Sequence, residues 1–296
     1  TYHMEEAPLY IKLLMYLFVV VYMFSVMLET THGEIVTMLK DKRRMGLALL
    51  ANLVVVPILS FVLVRLLNLR PEIRIGVMML AISPGGLFAL QFARVSKGNR
   101  VFAVALVIVL CVSAVLITPL LAHELFPRAG AEVGPFAWLV FLFLLLVAAP
   151  LVAGRALQRQ FPEIAPKLGR WLGLLSIVIF IIAALLSGRF KNPAIKALGT
   201  DGIVAIIALT LVCWVVGWML GGPEIRNRKV LAISTAMRNF GICVPLAAYY
   251  FPGTEVLAPI LAFSGISIPM NMVFALVTAR TLRDPADIVK PVEAKA

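Results

Sequence analysis

At residues 73–95 the sequence reads IRIGVMMLAISPGGLFALQFARV, an apolar run that Pro84, Gly85 and Gly86 interrupt near its middle. Proline removes a helical hydrogen-bond donor and clashes with the preceding turn, and glycine relaxes the backbone. The run is nevertheless as long as a membrane-spanning helix, which needs about 20 mostly apolar residues. We therefore predict a spanning helix that is broken within the bilayer.

A second run, at 229–250, is interrupted in a similar way. It contains the most polar stretch of any predicted span, Ser234-Thr235-Ala236-Met237-Arg238-Asn239. Unpaired backbone groups cost several kcal/mol in hydrocarbon, so a broken helix is stable there only against protein or a water-filled cavity. Interrupted spans at corresponding positions of two halves indicate a transporter site. A simple kink is the alternative, because proline and glycine are common in membrane helices.

The composition of the whole chain is that of a membrane protein. Apolar residues make up 61% of the 296 residues and charged residues 14%, against roughly 45–50% and 25% in soluble domains. The mean hydropathy is +0.99. These values exclude a soluble enzyme, a disordered chain and a disulfide scaffold. Continuous apolar runs also exclude a barrel, whose strands would alternate apolar and polar residues.

The chain is predicted to be an all-α polytopic membrane protein with nine transmembrane helices. They lie near residues 9–28, 46–67, 73–95, 101–121, 135–154, 170–187, 202–221, 229–250 and 256–279.

The cations predict the orientation of these spans. The loops after helices 1, 3, 5 and 7, together with the tail, hold 18 Lys and Arg, whereas the opposite side holds 8. This bias places the N-terminus outside and the C-terminus in the cytoplasm, in a cell inner membrane. Because the net charge of +12 comes from cations in loops between apolar runs, we expect a lipid bilayer and no nucleic acid as partner.

Several motifs occur in a fixed order along the chain: Met23-Phe24-Ser25-Val26-Met27-Leu28-Glu29, Leu69-Arg70-Pro71-Glu72, Ser83-Pro84-Gly85-Gly86, Lys97-Gly98-Asn99 and Thr235-Ala236-Met237-Arg238-Asn239. In order and spacing they follow the bile acid:sodium symporter family, which the chain resembles over most of its length.

The resemblance implies an inverted-repeat secondary transporter that works by alternating access. It implies a panel of helices near 9–28 and 135–187 and a core near 46–121 and 202–279, followed by a short cytoplasmic tail, 280–296. Two discontinuous helices would cross within the core at mid-membrane. Family substrates are small organic anions, either carboxylates such as pantoate, pyruvate and bile acids or sulfated steroids.

The family's sodium ligands are not found in this sequence. Soon after Pro-Gly-Gly the family commonly has Ser-Asn, where this chain has Ala89 and Leu90. In the second broken helix the family usually has Glu-x-Gly-x-Gln-Asn, and here Ser234 replaces the Glu and Arg238 the Gln. Sodium needs several oxygen ligands, preferably with one anionic. We therefore expect no metal or cofactor, and transport without the usual two-sodium coupling.

The predicted substrate-binding residues surround the two interruptions. They are Pro84, Gly85, Gly86, Gln91, Ser234, Thr235, Arg238 and Asn239, with Asn271 as an outlying candidate.

Arg238 allows two interpretations. It bonds the unwound carbonyls of the first broken helix and stands in for the absent cation, or it also receives the carboxylate or sulfate of a substrate. Asn52, Gln91, Asn271, Ser264 and Ser267 also fit hydrogen bonds between helices rather than contacts to a ligand.

The sequence predicts a secondary carrier of an organic anion. The alternative is a non-transporting membrane receptor or regulatory protein on the same fold, which the loss of sodium ligands fits equally. An enzyme is not expected, because no nucleophile–base pair or metal cluster occurs. A channel is not expected either, because no ring of pore-lining charge occurs.

Overall fold

A computed structural model describes residues 9–29, 32–86, 88–126, 141, 144–186, 193–251 and 254–282. All regular secondary structure in these ranges is helical, as the apolar runs predict. The helices are α1 (Leu9–Glu29), α2 (His32–Lys40), α3 (Lys42–Leu66), α4 (Pro71–Ala81), α5 (Ala89–Val95), α6 (Arg100–Leu125), α7 (Ala149–Gln160), α8 (Ala165–Leu186), α9 (Pro193–Leu220), α10 (Ile225–Ala236), α11 (Phe240–Tyr250) and α12 (Leu257–Thr281).

The predicted spans meet these helices in four ways. The span at 9–28 coincides with α1, of which Tyr16–Glu29 is an apolar helix shorter than the five that follow. Five helices are long and apolar enough to cross a membrane by length and composition: Lys42–Leu66, Arg100–Ala122, Ala165–Ala183, Leu198–Leu220 and Leu257–Thr281. The runs at 73–95 and 229–250 each fold as two shorter helices, as predicted. The prediction for 135–154 lies mostly outside the described residues, and the count of nine spans remains a prediction.

The chain divides into two compact units. In one of them, α1 packs closely against α7 and α8. A Cβ atom added at Gly154 would lie 2.9 Å from the Cβ of Met27, and one added at Gly169 would lie 2.7 Å from the Cγ of Glu29. Small residues at such contacts let membrane helices approach closely. Glycine is therefore required at both positions for this packing.

The other unit contains α3–α6, α10–α12 and nearly all of α9. Here α9 lies against α10, since a Cβ atom at Gly217 would come within 2.5 Å of the Cα of Ala232. The unit therefore includes both broken helices, α4–α5 and α10–α11. The panel and core functions that the resemblance implies for such units remain predictions.

A π-helical turn precedes two of the prolines. Residues Ala51–Val55 form one within α3, just before Pro57, and Leu144–Ala148 form another just before Pro150. Proline lacks the N–H that the preceding turn would accept, and a wider turn accommodates this loss. Asn52 lies within the turn in α3.

Candidate functional site

The two broken helices cross at their interruptions. The N–H of Asn239 donates to the carbonyl of Ser83 at 2.8 Å, and the N–H of Gly86 donates to the carbonyl of Met237 at 2.7 Å. We refer to residues 82–86 and 237–239 as the crossing. Backbone groups that helix breakage frees are thus paired with one another, as a membrane interior requires.

Glycine is required at two positions of the crossing. Gly85 has a φ of 88°, in the left-handed region that residues with a Cβ rarely adopt. A Cβ at Gly86 would lie 2.6 Å from the carbonyl oxygen of Met237, closer than two such atoms approach. The Pro-Gly-Gly motif therefore serves the close contact of two backbones.

Helix α6 pairs with two further carbonyls of the first interruption. The hydroxyl of Thr118 donates to the carbonyl of Ile82 at 2.9 Å, and the thiol of Cys111 donates to that of Gly85 at 3.2 Å. Both donors lie on α6. An unwound segment with its carbonyls so paired is held rigidly.

Arg238 lies at the centre of the crossing and is fully buried. Its Nε donates to the carbonyl of Leu80 at 3.0 Å, and its Nη1 donates to the carbonyl of Thr235 at 3.1 Å and to Oδ1 of Asn52 at 3.0 Å. Its Nη2 donates to the carbonyls of Asn52, at 3.4 Å, and Ala81. These contacts use all five N–H donors of the guanidinium.

These acceptors explain how a charged side chain is accommodated there. Leu80 and Ala81 end α4, and Thr235 lies in the last turn of α10, so their carbonyls form the negative ends of two helix dipoles. Asn52, in the π-helical turn of α3, adds two further oxygens. In this arrangement Arg238 fits the first interpretation, that of a bound cation, and no donor remains for a substrate anion.

Two other predicted residues have buried polar atoms without partners among the described residues. The Oγ of Ser234, which is fully buried, and the Nε2 of Gln91 make no hydrogen bond. Gln91 lies on α5, which follows the first break, and Ser234 lies on α10, which precedes the second. The far ends of these two helices are joined, because the N–H of Asn99, beyond the end of α5, donates to the carbonyl of Arg226, at the start of α10. Ten buried side-chain atoms of the described residues have no hydrogen-bond partner, and these two are the ones at predicted substrate-binding residues, where a ligand or water can complete them.

The other predicted residues have defined structural contacts. Pro84 is buried within the crossing. Thr235 accepts from Nδ2 of Asn52 at 3.2 Å, and Asn239 caps α11 by accepting from the N–H of Ile242 at 3.3 Å. These residues hold the crossing together.

Asn271 is bound in a different network. Its Oδ1 accepts from the indole of Trp214 at 3.0 Å, and its Nδ2 donates to the carbonyl of Ser267 at 2.8 Å. None of its side-chain hydrogen bonds reaches the crossing. Asn271 therefore fits the interhelical alternative, between α9 and α12.

Asn52 and Lys229 have contacts in the structure that the sequence does not predict. Asn52 was expected only to join helices, although it is the sole polar residue amid the apolar run 46–64 apart from Ser60. Lys229, one of the 18 cations counted in the loops and tail, is 2% exposed and donates to the carbonyls of Ser96 and Leu282 at 3.1 and 2.6 Å. Both carbonyls end helices, so they stabilise a buried ammonium.

Comparison with known proteins adds a family and several relatives. Residues 16–196 match the model of the Sodium Bile acid symporter family. The chain is 25% identical to YocS of Bacillus subtilis, named an uncharacterized sodium-dependent transporter, over 79% of this chain and 74% of that protein. It is 24% identical to a probable sodium/metabolite cotransporter, BASS1 of Arabidopsis thaliana, over 67% of this chain and 49% of that protein. With BASS2 of Oryza sativa, also a probable sodium/metabolite cotransporter, it shares 21% identity over 80% of this chain and 57% of that protein.

Proposed function

Because the chain belongs to the sodium bile acid symporter family, a family of membrane transporters rather than enzymes, we propose that it is a secondary carrier of an organic anion. It works by alternating access in a cell inner membrane, with nine spans, an external N-terminus and a cytoplasmic C-terminus. The usual two-sodium coupling is absent. This last point departs from its relatives, whose names refer to sodium.

Arg238 is the basis for proposing transport without sodium. Its guanidinium already occupies the place where two helix C-termini and Asn52 direct five oxygens. In transporters, such half-helix ends commonly coordinate a cation. Because the guanidinium is covalently attached to the chain, it supplies the positive charge that a bound cation would supply, and it does not leave during the transport cycle.

The observation that supports an anionic substrate is the pair of unpartnered groups at Gln91 and Ser234. The Gln91 amide nitrogen is only a donor and the Ser234 hydroxyl is able to donate. Among the described residues, the buried charged side chains are Lys229 and Arg238, both cations. Two unpaired donors match the oxygens of a carboxylate or sulfate, and the buried charges of the described residues are of the opposite sign.

The N-terminus of α11 adds to this preference. Helix α11 begins at Phe240, beside the crossing, with Asn239 as its cap. The N-terminal end of a helix has a partial positive charge. The crossing therefore combines a helix end and a fixed charge of the sign that favours an anion.

The test removes the two donors one at a time. In Ser234→Ala and Gln91→Leu, anion affinity should fall at least about tenfold. Removing one hydrogen bond to the anion should lower the binding free energy by roughly 1.4 kcal/mol or more. The melting temperature without anion should stay the same or rise, because a buried group without a partner is removed. A thermal-shift titration with pyruvate, pantoate and a bile acid gives both values.

Ser60→Ala is the matched control. Ser60 is also fully buried with an unpartnered Oγ, but it lies on α3, five residues beyond the π-helical turn. Its substitution should leave anion affinity unchanged. Equal loss of affinity in Ser60→Ala and Ser234→Ala would contradict the proposed site.

Uptake of the radiolabelled anion into proteoliposomes then separates a carrier from the receptor alternative. A carrier accumulates label inside the vesicles, whereas a receptor binds the anion without moving it. Binding without uptake would reject transport while leaving the anion site intact.

A further inference from the structure

One end of the larger unit has an unusual concentration of positive charge. Four segments meet there, residues 40–44, 94–100, 222–229 and 280–282, and we refer to them as the basic face. They contain eleven Lys and Arg against two carboxylates, Asp41 and Glu224.

Hydrogen bonds and an ion pair join these segments into one surface. The N–H of Asn99 donates to the carbonyl of Arg226 at 3.3 Å, and Arg44 pairs with Glu224 at 3.2 Å. Lys229 donates both to the carbonyl of Ser96, in the segment 94–100, and to that of Leu282, in the segment 280–282. The basic face is therefore continuous across the ends of α3, α5, α10 and α12.

Both carboxylates of the basic face form ion pairs with the same cation, Arg44. Arg44 lies 3.2 Å from Oδ2 of Asp41 as well as 3.2 Å from Oε1 of Glu224. Exposed cations such as Lys42, Arg43 and Arg280 lie on the same face. The face has a net positive charge that its own acids do not neutralise.

Apolar stripes lead up to two of the exposed cations. On α3, Leu50 and Val54 are 42% and 44% exposed and follow Arg43 at helical spacing. On α12, Val273 and Val277 are 60% and 50% exposed and precede Arg280 on the same face of the helix. Each stripe is an exposed apolar surface with an arginine beyond its end, as is typical of helices at a membrane boundary.

We propose that the basic face binds the headgroups of anionic phospholipids, whose acyl chains lie along these two stripes. A lipid matches both features at once, a negative headgroup for the arginines and a hydrocarbon chain for the exposed leucine and valines. A soluble phosphate or an acidic protein would contact only the arginines and not the apolar stripes. Basic surfaces at the ends of membrane helices bind such lipids by this electrostatic attraction.

The experiment is a native mass spectrometry titration of the detergent-purified full chain with phosphatidylglycerol and with phosphatidylcholine of the same acyl chains. Phosphatidylglycerol should bind at least tenfold more tightly. Each of Arg43→Gln and Arg280→Gln should weaken its binding about fivefold, and the two combined at least tenfold. Arg65→Gln, an exposed arginine at the opposite end of α3, is the matched control and should change it less than twofold.

The unsubstituted protein provides a second measurement. Raising the salt concentration from 50 to 500 mM should weaken phosphatidylglycerol binding severalfold, because salt screens exposed charges. Equal binding of the two lipids, equal loss in Arg65→Gln, or no salt effect would each overturn the proposal. Displacement of the lipid by millimolar glycerol phosphate would also overturn it and assign the face to soluble phosphates.

Discussion

Arg238 determines the electrostatics of the crossing. A guanidinium at the bilayer centre costs ~2.5–3.5 kcal/mol or more. In this chain its five donors meet oxygens of Leu80, Ala81, Thr235 and Asn52, at the ends of helices whose dipoles favour a positive charge. The arginine and the broken helices therefore stabilise one another, and neither is expected without the other.

Substitution of Arg238 by glutamine should destabilise the fold strongly. The carbonyls of Leu80, Ala81 and Thr235 would lose the donors that Arg238 gives them, and each buried acceptor left without a partner costs about 1–3 kcal/mol. Arg238→Lys should recover part of this, since it keeps the charge but not the planar fork. The free energy of unfolding, from an SDS titration in mixed micelles, measures both.

Arg65→Gln is the control for this prediction, because that arginine is exposed at the end of α3. Its loss should change stability by under ~1 kcal/mol. If Arg238→Gln unfolds at the same SDS fraction as Arg65→Gln, the guanidinium is not what holds the crossing together.

At the scale of secondary-structure elements, the crossing is a contact between two backbones. Gly86→Ala should therefore lower stability by at least about 2 kcal/mol, because the added methyl group meets the carbonyl of Met237, an atom fixed by its own hydrogen bond. Thermal unfolding in detergent measures the change.

Gly46→Ala is a matched glycine substitution on α3, where a Cβ meets no atom within 4 Å. Alanine favours a helix over glycine by roughly 0.5–1 kcal/mol, so the melting temperature should stay the same or rise. A Gly86→Ala protein as stable as Gly46→Ala would show that the two backbones do not need this close approach.

The sequence predicts some elements well and others poorly, for identifiable reasons. Proline and glycine act locally, so the break at Pro84 is visible from neighbouring residues alone. The hydrogen bond between Asn52 and Arg238 depends on tertiary structure, since the two residues are 186 positions apart. The contacts of Lys229 are not predicted for the same reason, because its carbonyl partners are 133 and 53 residues away.

At the scale of the whole molecule, the distribution of cations predicts the orientation of the chain. With 18 Lys and Arg on one side and 8 on the other, the C-terminus should lie in the cytoplasm. A C-terminal green fluorescent protein fusion should fluoresce, and an alkaline phosphatase fusion at the same position should be inactive. An active phosphatase fusion would place the C-terminus outside the cytoplasm and contradict the predicted orientation.

The family membership and the crossing lead to different expectations about coupling. Relatives are named for sodium, whereas this chain has a fixed guanidinium where helix ends converge. Sodium bound at the same oxygens would have to displace a tethered cation. We therefore expect Arg238 to occupy this position throughout the transport cycle.

The most direct test of this claim compares initial rates of anion uptake into proteoliposomes in sodium and in choline buffer. The membrane potential and the anion gradient are held equal in the two buffers. If Arg238 takes the place of the coupling cation, the two rates should agree within about twofold, a difference of roughly 0.4 kcal/mol. A several-fold stimulation by sodium that saturates with its concentration would contradict the account.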